Sequence, residues 1–261
     1  MPVTKAAAKK PAKKSNLNAA LAKPAKNTAA KPKDKFDPKR DLAPERVAEI
    51  LKRLAATYPN AECALHHRNA WELLVATILS AQCTDVRVNM VTPELFSQFP
   101  TPKAMSEASQ TALEELIRST GFYRNKAKSI LGAAKKVTND FSGKVPRTLA
   151  ELTTVPGAAR KTANVVLGVA YGLAEGIVVD THVLRISRRL HLTKATEPKH
   201  VEQDLMKIIP RDHWIAYSHE IIHHGRQICI ARKPKCADCT LETVCTSGDK
   251  TWSSGKTWPS Q

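Results

Sequence analysis

The chain has 261 residues, and its 41 Lys plus Arg against 24 Asp plus Glu give a net charge of +17. Hydrophobic residues make up 42%, which excludes a wholly disordered protein, and no run of about 18 apolar residues could form a membrane span. Only 5% of the residues are aromatic, which argues against a single-strand binder that stacks bases. The first residues lack the apolar block of a secretory signal, so we expect no export.

The positive charge is concentrated near the N-terminus. Residues 1–40 hold 12 of the 41 basic and 2 of the 24 acidic residues, a net of +10, and the remaining 29 and 22 leave +7. Such an excess favours a polyanionic partner, most commonly nucleic acid. Residues 1–38 are mainly Lys, Ala, Pro and Asn, and we expect them to form a disordered basic tail.

Helical periodicity begins at Pro44 and continues to about residue 225, so we predict an all-α fold. Asn69, Ser106 and Ser109 are expected to cap helices. We expect a break in helix 85–91 before Pro93 and disorder over residues 247–261. The predicted helices cover residues 44–58, 70–83, 85–91, two short stretches in 103–119, 123–140, 148–154, 159–171, 181–190, 199–209 and 214–225.

Residues 152–163 indicate two helices joined by a tight turn at Pro156 and Gly157. Free N–H groups at such a turn can bind a phosphate, although a Pro-Gly turn is usually only a connector. The second helix is about 20 Å long and residues 173–179 can extend about 23 Å, so the chain can return to where that helix begins. Lys161 and Asp180 can therefore face one cleft.

That pair of residue types suits one chemistry. A neutral lysine amine attacks an aldehyde-like carbon to form a Schiff base. A nearby carboxylate can accept the proton and stabilise positive charge that develops on a sugar. Taken singly, Lys161 is typical of a surface lysine and Asp180 of a helix N-cap; together they form a candidate catalytic site.

Near the C-terminus the spacing C-x6-C-x2-C-x5-C is formed by Cys229, Cys236, Cys239 and Cys245. Without export, metal ligation is favoured over disulfides. A zinc site usually has two closely spaced pairs, and only one is present here. A four-Cys iron–sulfur centre therefore fits better, and zinc remains the alternative. The loop between the first two ligands carries three basic residues suited to phosphate contacts, Arg232, Lys233 and Lys235. Cys63 and Cys83 are expected to be buried structural thiols.

Four motifs in this order resemble those of endonuclease III, a family of helix-hairpin-helix DNA glycosylases. They are LSAQCTD at 79–85, GFYRNKA at 121–127, the hairpin at 155–163 and VDTH at 179–182, followed by the four cysteines. The resemblance covers about residues 41–246. It implies a six-helix barrel domain at 63–173, with its hairpin at 152–171, and an iron–sulfur domain formed by 41–62 and 174–246.

The resemblance also implies an activity. Members of this family are bifunctional glycosylases and AP lyases that remove oxidised pyrimidines, such as thymine glycol, from duplex DNA. Lys161 would attack C1′ of the sugar, Asp180 would assist, and β-elimination would cut the strand. The implied cofactor is a [4Fe–4S] cluster on the four cysteines. A monomer in the bacterial cytoplasm, associated with the nucleoid through DNA and not with membranes, is expected.

Further site residues follow from the resemblance. Gln82 and Phe122 would fill the gap left by the flipped base, and Asp85 and His182 would belong to the substrate pocket. The predicted DNA contacts are made by the hairpin and the basic loop, through Gly157, Ala159, Arg160, Arg232, Lys233 and Lys235. Three positions depart from the family pattern, which usually has Gly at Ala159, an aliphatic residue at Phe122 and, in close relatives, Glu at Thr153.

Three alternatives remain open at this point. The adenine-mismatch branch carries a Glu in the helix before the Gln motif and lacks the hairpin lysine, whereas residues 74–80 contain no acid and Lys161 is present. In thymine-mismatch glycosylases the lysine position is typically another residue. A non-catalytic DNA-binding protein that uses the cluster as a redox sensor is disfavoured because both Lys161 and Asp180 are present.

Overall fold

The computed structural model describes residues 36–258, and in this range the chain forms helices and loops without a strand. The all-α prediction is therefore confirmed. The helices are α1 Pro38–Asp41, α2 Pro44–Thr57, α3 Ala70–Leu79, α4 Asp85–Gln98, α5 Pro102–Ser106, α6 Gln110–Ile117, α7 Tyr123–Asp140, α8 Leu149–Leu152, α9 Arg160–Tyr171, α10 Thr181–Arg189, α11 Pro198–Ile208 and α12 Trp214–Gln227. Short 3-10 turns occupy Arg118–Thr120, Arg211–His213 and Cys236–Asp238. No helix in the described range is long and apolar enough to cross a bilayer.

Side-chain caps explain where several helices begin. Asn69 accepts a hydrogen bond from the Glu72 N–H, and Ser109 accepts one from the Ala112 N–H, as predicted. The prediction for Ser106 is wrong, because Thr101 caps α5 and Ser106 is its last residue. A short polar side chain at either end of a helix can hydrogen-bond to the backbone, so residue type alone does not distinguish the two ends.

Two helix boundaries differ from the predictions. Helix α4 continues through Pro93 to Gln98, although proline removes one intrahelical hydrogen bond. Tertiary packing offsets that loss, because Val91, Leu95 and Phe96 are buried in the core on both sides of the proline. Helix α3 ends at Leu79 instead of residue 83, because the chain turns there and Gln82 adopts a left-handed conformation with φ +52°.

The buried side chains form two hydrophobic clusters. The first cluster draws its members from residues 65–167, which include helices α3–α9. The second cluster combines residues 47–54 of α2 with residues 177–244. The described chain thus begins in the second hydrophobic cluster, then forms the first, and its later helices belong to the second cluster again. Arg46, which is 1% exposed, helps to hold the second cluster together by donating to the carbonyls of Leu190 and Val244.

The expected disorder at the two ends needs correction where the structure describes them. Of the predicted tail at residues 1–38, residues 1–35 lie outside the described residues, whereas Phe36 packs edge-on against His191 and under Lys194. Residues 247–258 also make specific contacts, because the buried carboxylate of Glu242 requires donors. Lys250 Nζ lies 3.1 Å from Glu242 Oε1, and Ser254 Oγ donates to Glu242 Oε2. Residues 259–261 lie outside the described part.

A buried carboxylate on α12 makes stability depend on pH. Glu220 is 5% exposed, and burial raises the pKa of its carboxyl from 4.5 to about 7. Between these values the folded state keeps a proton that the unfolded chain loses, so stability falls as pH rises. We expect Glu220→Gln to stabilise the protein at pH 8 by up to roughly 3 kcal/mol and to leave it nearly unchanged at pH 4.5.

Urea unfolding at several pH values measures this effect. The exposed Glu197, replaced in the same way, serves as the control and should leave the pH dependence of wild type intact. Equal stabilisation by Glu220→Gln at low and high pH would contradict the assignment to proton binding.

Candidate active site

A cavity at the boundary of the two hydrophobic clusters brings together Lys161 and Asp180. Its open volume is about 810 Å³, and its walls come from α3 and α9 on one side and from α12 and the segment before α10 on the other. Lys161 is exposed and Asp180 is half-buried. An amine and a carboxylate therefore share one solvent-connected cavity.

The turn before α9 explains how Lys161 is presented. Gly157 has φ +81°, and a Cβ there would lie 3.0–3.1 Å from side-chain atoms of Ser129 and Ile78, so only glycine fits. Ala159 has φ −62°, which any residue adopts, so the alanine that departs from the family pattern does not strain the turn. No side chain caps α9, and the N–H groups of its first turn remain available to an anion.

Asp180 has two roles in the structure. Its Oδ1 accepts hydrogen bonds of 2.8 Å from the N–H groups of His182 and Val183 and so caps α10. These bonds fix the carboxylate at the cavity wall through Oδ1, and among the described residues Oδ2 has no hydrogen-bond donor. Asp180 can therefore cap α10 and line the cavity at the same time, as expected.

His182 differs from its predicted position, because it is absent from the residues that line the cavity. Its Nδ1 lies 3.2 Å from Arg185 Nη2, and burial is the main cause that lowers the pKa of the ring. A Cβ at Gly225 would lie 2.5 Å from His182 Nδ1. The ring therefore packs between α10 and α12, where it helps to set their separation.

Asp85 does line the cavity, and its partner was not predicted from sequence. Arg226 on α12 forms an ion pair of 2.6 Å with Asp85 at the start of α4. This pair joins an element of the first cluster to one of the second across the cavity mouth. Sequence analysis also missed the cavity-lining Glu62, His219 and His223.

A second link between the clusters lies beside Lys161. Arg160 donates from Nε and Nη2 to the carboxylate of Glu202 at 2.8 and 3.0 Å, and Asn164 Nδ2 donates to Glu202 Oε1 at 2.8 Å. Asn164 lies one turn after Lys161 on α9, and its Oδ1 is buried without a partner. The predicted DNA contact Arg160 is therefore held by a protein carboxylate and anchors the start of α9 to α11.

The other predicted DNA-contacting residues lie on exposed loops. Gln82 and Phe122 both have positive φ values, +52° and +48°, and Phe122 is 64% exposed. Both side chains therefore face solvent from a backbone conformation that non-glycine residues seldom adopt. The basic residues Arg232 and Lys233 are also exposed, and Arg189 holds their loop by donating to the carbonyls of Ile230 and Ala231.

One cavity in the second cluster is lined by Cys229, Cys236, Cys239 and Cys245. It has an open volume of about 440 Å³ and mostly apolar walls. Arg189 Nη1 donates to Cys229 Sγ at 3.3 Å, and His224 Nε2 lies 3.5 Å from Cys239 Sγ. Within residues 36–258 no group of three or more His, Cys, Asp or Glu side chains is arranged for a single metal ion. Four soft donors around a larger space fit a polynuclear cluster.

The two remaining cysteines lie outside that cavity. Cys63 and Cys83 are both half-buried, and Cys63 lines the cavity that contains Lys161. Both thiols pack against the first hydrophobic cluster, so the expected burial is found only in part.

Sequence comparison with known proteins identifies the family to which this chain belongs. Residues 75–211 match the HhH-GPD superfamily base excision DNA repair protein family. Endonuclease III of Synechocystis sp. is 54% identical over 203 residues, which cover 78% of this chain and 93% of that relative. Endonuclease III of Escherichia coli K12 is 39% identical, with coverage of 77% and 95%. The chain belongs to the endonuclease III family. It is thus a DNA glycosylase and AP lyase of base excision repair.

Solved structures agree with membership in the endonuclease III family. The chain matches a trapped endonuclease III–DNA covalent intermediate with a TM-score of 0.75 and 43% identity, covering 79% of this chain and 97% of that one. A non-covalent endonuclease III–DNA complex matches with a TM-score of 0.74 and 42% identity, covering 79% and 96%. A thermostable thymine-DNA glycosylase reaches 0.69 at 21% identity, covering 80% and 97%, which shows a shared fold alone.

Proposed function

We propose that this endonuclease III removes oxidised pyrimidines, such as thymine glycol, from duplex DNA and cuts the strand through a Schiff base on Lys161. The observation that carries the proposal is that Lys161 and Asp180 line one cavity beside the uncapped start of α9. A base within the duplex stack is out of reach of such a cavity, so the damaged nucleotide must flip out of the helix.

The first half of the reaction replaces the base with the enzyme. The lone pair on Lys161 Nζ attacks C1′ while the bond from C1′ to the base breaks, and the base leaves as an anion that takes a proton from water. Asp180 Oδ2 accepts the proton that the amine loses and stabilises positive charge on the sugar. Since Oδ1 is held by two backbone N–H groups, the carboxylate needs little reorganisation as charge develops.

The second half cuts the strand. As the sugar ring opens, its oxygen takes up a proton and an iminium forms between Lys161 and C1′, which makes the proton on C2′ acidic. Transfer of that proton to water and cleavage of the C3′–O bond release the 3′ part of the strand as a phosphate-ended fragment. Water then hydrolyses the iminium and restores the lysine amine.

The surrounding residues bind and hold the DNA. The first turn of α9, after Gly157 and Ala159, contacts a phosphate through its backbone N–H groups. Exposed Arg232, Lys233 and Lys235 contact further phosphates. Gln82 and Phe122 enter the gap that the flipped nucleotide leaves, and Asp85 contributes to the pocket wall.

In this proposal, the four cysteines beside the second hydrophobic cluster bind a [4Fe–4S] centre. The bound cluster supplies a rigid core that supports the basic loop, and no step above requires it. The first hydrophobic cluster then corresponds to the six-helix barrel domain at 63–173, and the second to the iron–sulfur domain at 41–62 and 174–246. The enzyme acts as a monomer on duplex DNA, which places it on the bacterial nucleoid.

A strand-cleavage assay tests the proposed substrate class. Duplexes with one thymine glycol, one thymine mismatch, one adenine mismatch or no damage are incubated with the holoenzyme, and base release and strand cleavage are both measured. We expect a β-elimination product from the thymine glycol duplex alone. Release of mismatched thymine or adenine without strand cleavage would favour a mismatch glycosylase instead, and DNA binding without either product would contradict the proposal.

A further inference from the structure

A lysine outside the catalytic cavity connects the two loops that carry Gln82 and Phe122. Lys126 on α7 is only 5% exposed, although lysine is rarely buried. Its Nζ donates hydrogen bonds of 2.8 Å to the carbonyl of Leu79 and to the carbonyl of Thr120. Leu79 lies three residues before Gln82, and Thr120 lies two residues before Phe122.

A buried ammonium is costly, so its presence here requires a reason. Burial is the main cause that lowers the pKa of Lys126, and among the described residues no Asp or Glu pairs with it. The charge is balanced by carbonyl oxygens at the C-terminal ends of α3 and of the turn Arg118–Thr120, where helix dipoles are negative. A leucine or methionine would fill the same space without desolvating a charge.

Both loops contain residues with positive φ values. Gln82 and Phe122 are both non-glycine residues with positive φ, a conformation that persists only where the surroundings hold it. Gly121 adds a further left-handed residue next to Phe122. Each loop has one of its preceding carbonyls bound to the same Nζ atom, so one buried side chain bridges the two loops.

We propose that Lys126 is a positioning residue that sets the spacing of Gln82 and Phe122, so that both side chains enter one gap in the duplex. This inference rests on the proposed function of those two residues. Without the bridge, the loops move independently and the flipped state of the nucleotide is less populated. The chemical step at Lys161 is not changed, because Lys126 does not line the catalytic cavity.

The test compares Lys126→Met with Lys135→Met in the full-length holoenzyme. Lys135 is exposed on the same helix, and its replacement by Met removes the same charge as Lys126→Met does. The single-turnover rate of thymine glycol excision from duplex DNA should fall by roughly tenfold to a hundredfold for Lys126→Met, because a displacement of about 1 Å in positioning groups costs a rate factor of that size. The rate should hardly change for Lys135→Met. Cleavage at a preformed abasic site in single-stranded DNA, which has no gap to fill, should stay within about threefold of wild type for both variants.

A double-mutant cycle separates positioning from a general loss of structure. In a Gln82→Ala, Phe122→Ala background, Lys126→Met should have little additional effect on excision, since the side chains that it places are absent. Fully additive losses, or an equal loss on single-stranded abasic DNA, would overturn the proposal. A wild-type protein that excises no base at all would instead contradict the proposed function, so the two failures are distinguishable.

Discussion

Replacing Lys161 with alanine is expected to abolish both base excision and strand cleavage while leaving DNA binding nearly intact. The variant removes the amine that shares the cavity with Asp180 but leaves the hairpin turn and its N–H groups in place. Loss of a catalytic nucleophile costs at least about a thousandfold in rate. Single-turnover kinetics and a binding titration on the same thymine glycol duplex measure the two properties separately.

Lys199→Ala provides the matched control for this prediction. Lys199 is exposed and is the second residue of α11, just as Lys161 is the second residue of α9. The control should excise and cleave at the wild-type rate. If Lys161→Ala retained base release and lost only strand cleavage, water would be the nucleophile for excision and our assignment of the first step would be wrong.

The second large effect concerns the four cysteines. Cys239→Ala should lose bound iron and the visible absorption of the cluster, and should unfold at a much lower temperature. The four thiols line a cavity in the second hydrophobic cluster, so an incomplete site leaves three unliganded thiols and an unfilled space in that core. Since folded domains are stable by only about 5–15 kcal/mol, loss of a structural metal centre is enough to unfold one.

Two cysteines outside the array serve as controls. Cys63→Ser and Cys83→Ser remove a half-buried thiol without touching the cavity, and both should keep the wild-type iron content. Metal analysis decides between the interpretations that the sequence left open. Iron and inorganic sulfide in equal amounts support the cluster, whereas stoichiometric zinc in the wild type would contradict it.

Local signals predicted much of the fold. Asn69 and Asp180 were expected to be caps because a short polar side chain precedes an apolar periodic stretch, and both accept the expected backbone hydrogen bonds. The continuation of α4 through Pro93 was not predictable, because it depends on buried contacts made by Leu95 and Phe96 with distant residues. The contacts of residues 247–258 likewise depend on Glu242, whose burial no local pattern indicates.

The candidate site shows the same limit. Lys161 and Asp180 could be placed together because a helix and a short return segment have calculable lengths. The partners of the surrounding residues are far away in sequence, with a separation of 141 positions from Asp85 to Arg226 and of 42 from Arg160 to Glu202. Lys126 gave no signal at all, since a lysine in an amphipathic helix normally indicates its solvent-exposed face.

Borohydride trapping tests the central claim most directly. The wild-type enzyme is mixed with a duplex that contains one thymine glycol, and reducing agent is added during turnover. We expect a covalent adduct between protein and DNA, with the modified peptide containing Lys161, and no adduct with Lys161→Ala. Base release by the wild type without any trapped adduct would contradict a Schiff base mechanism.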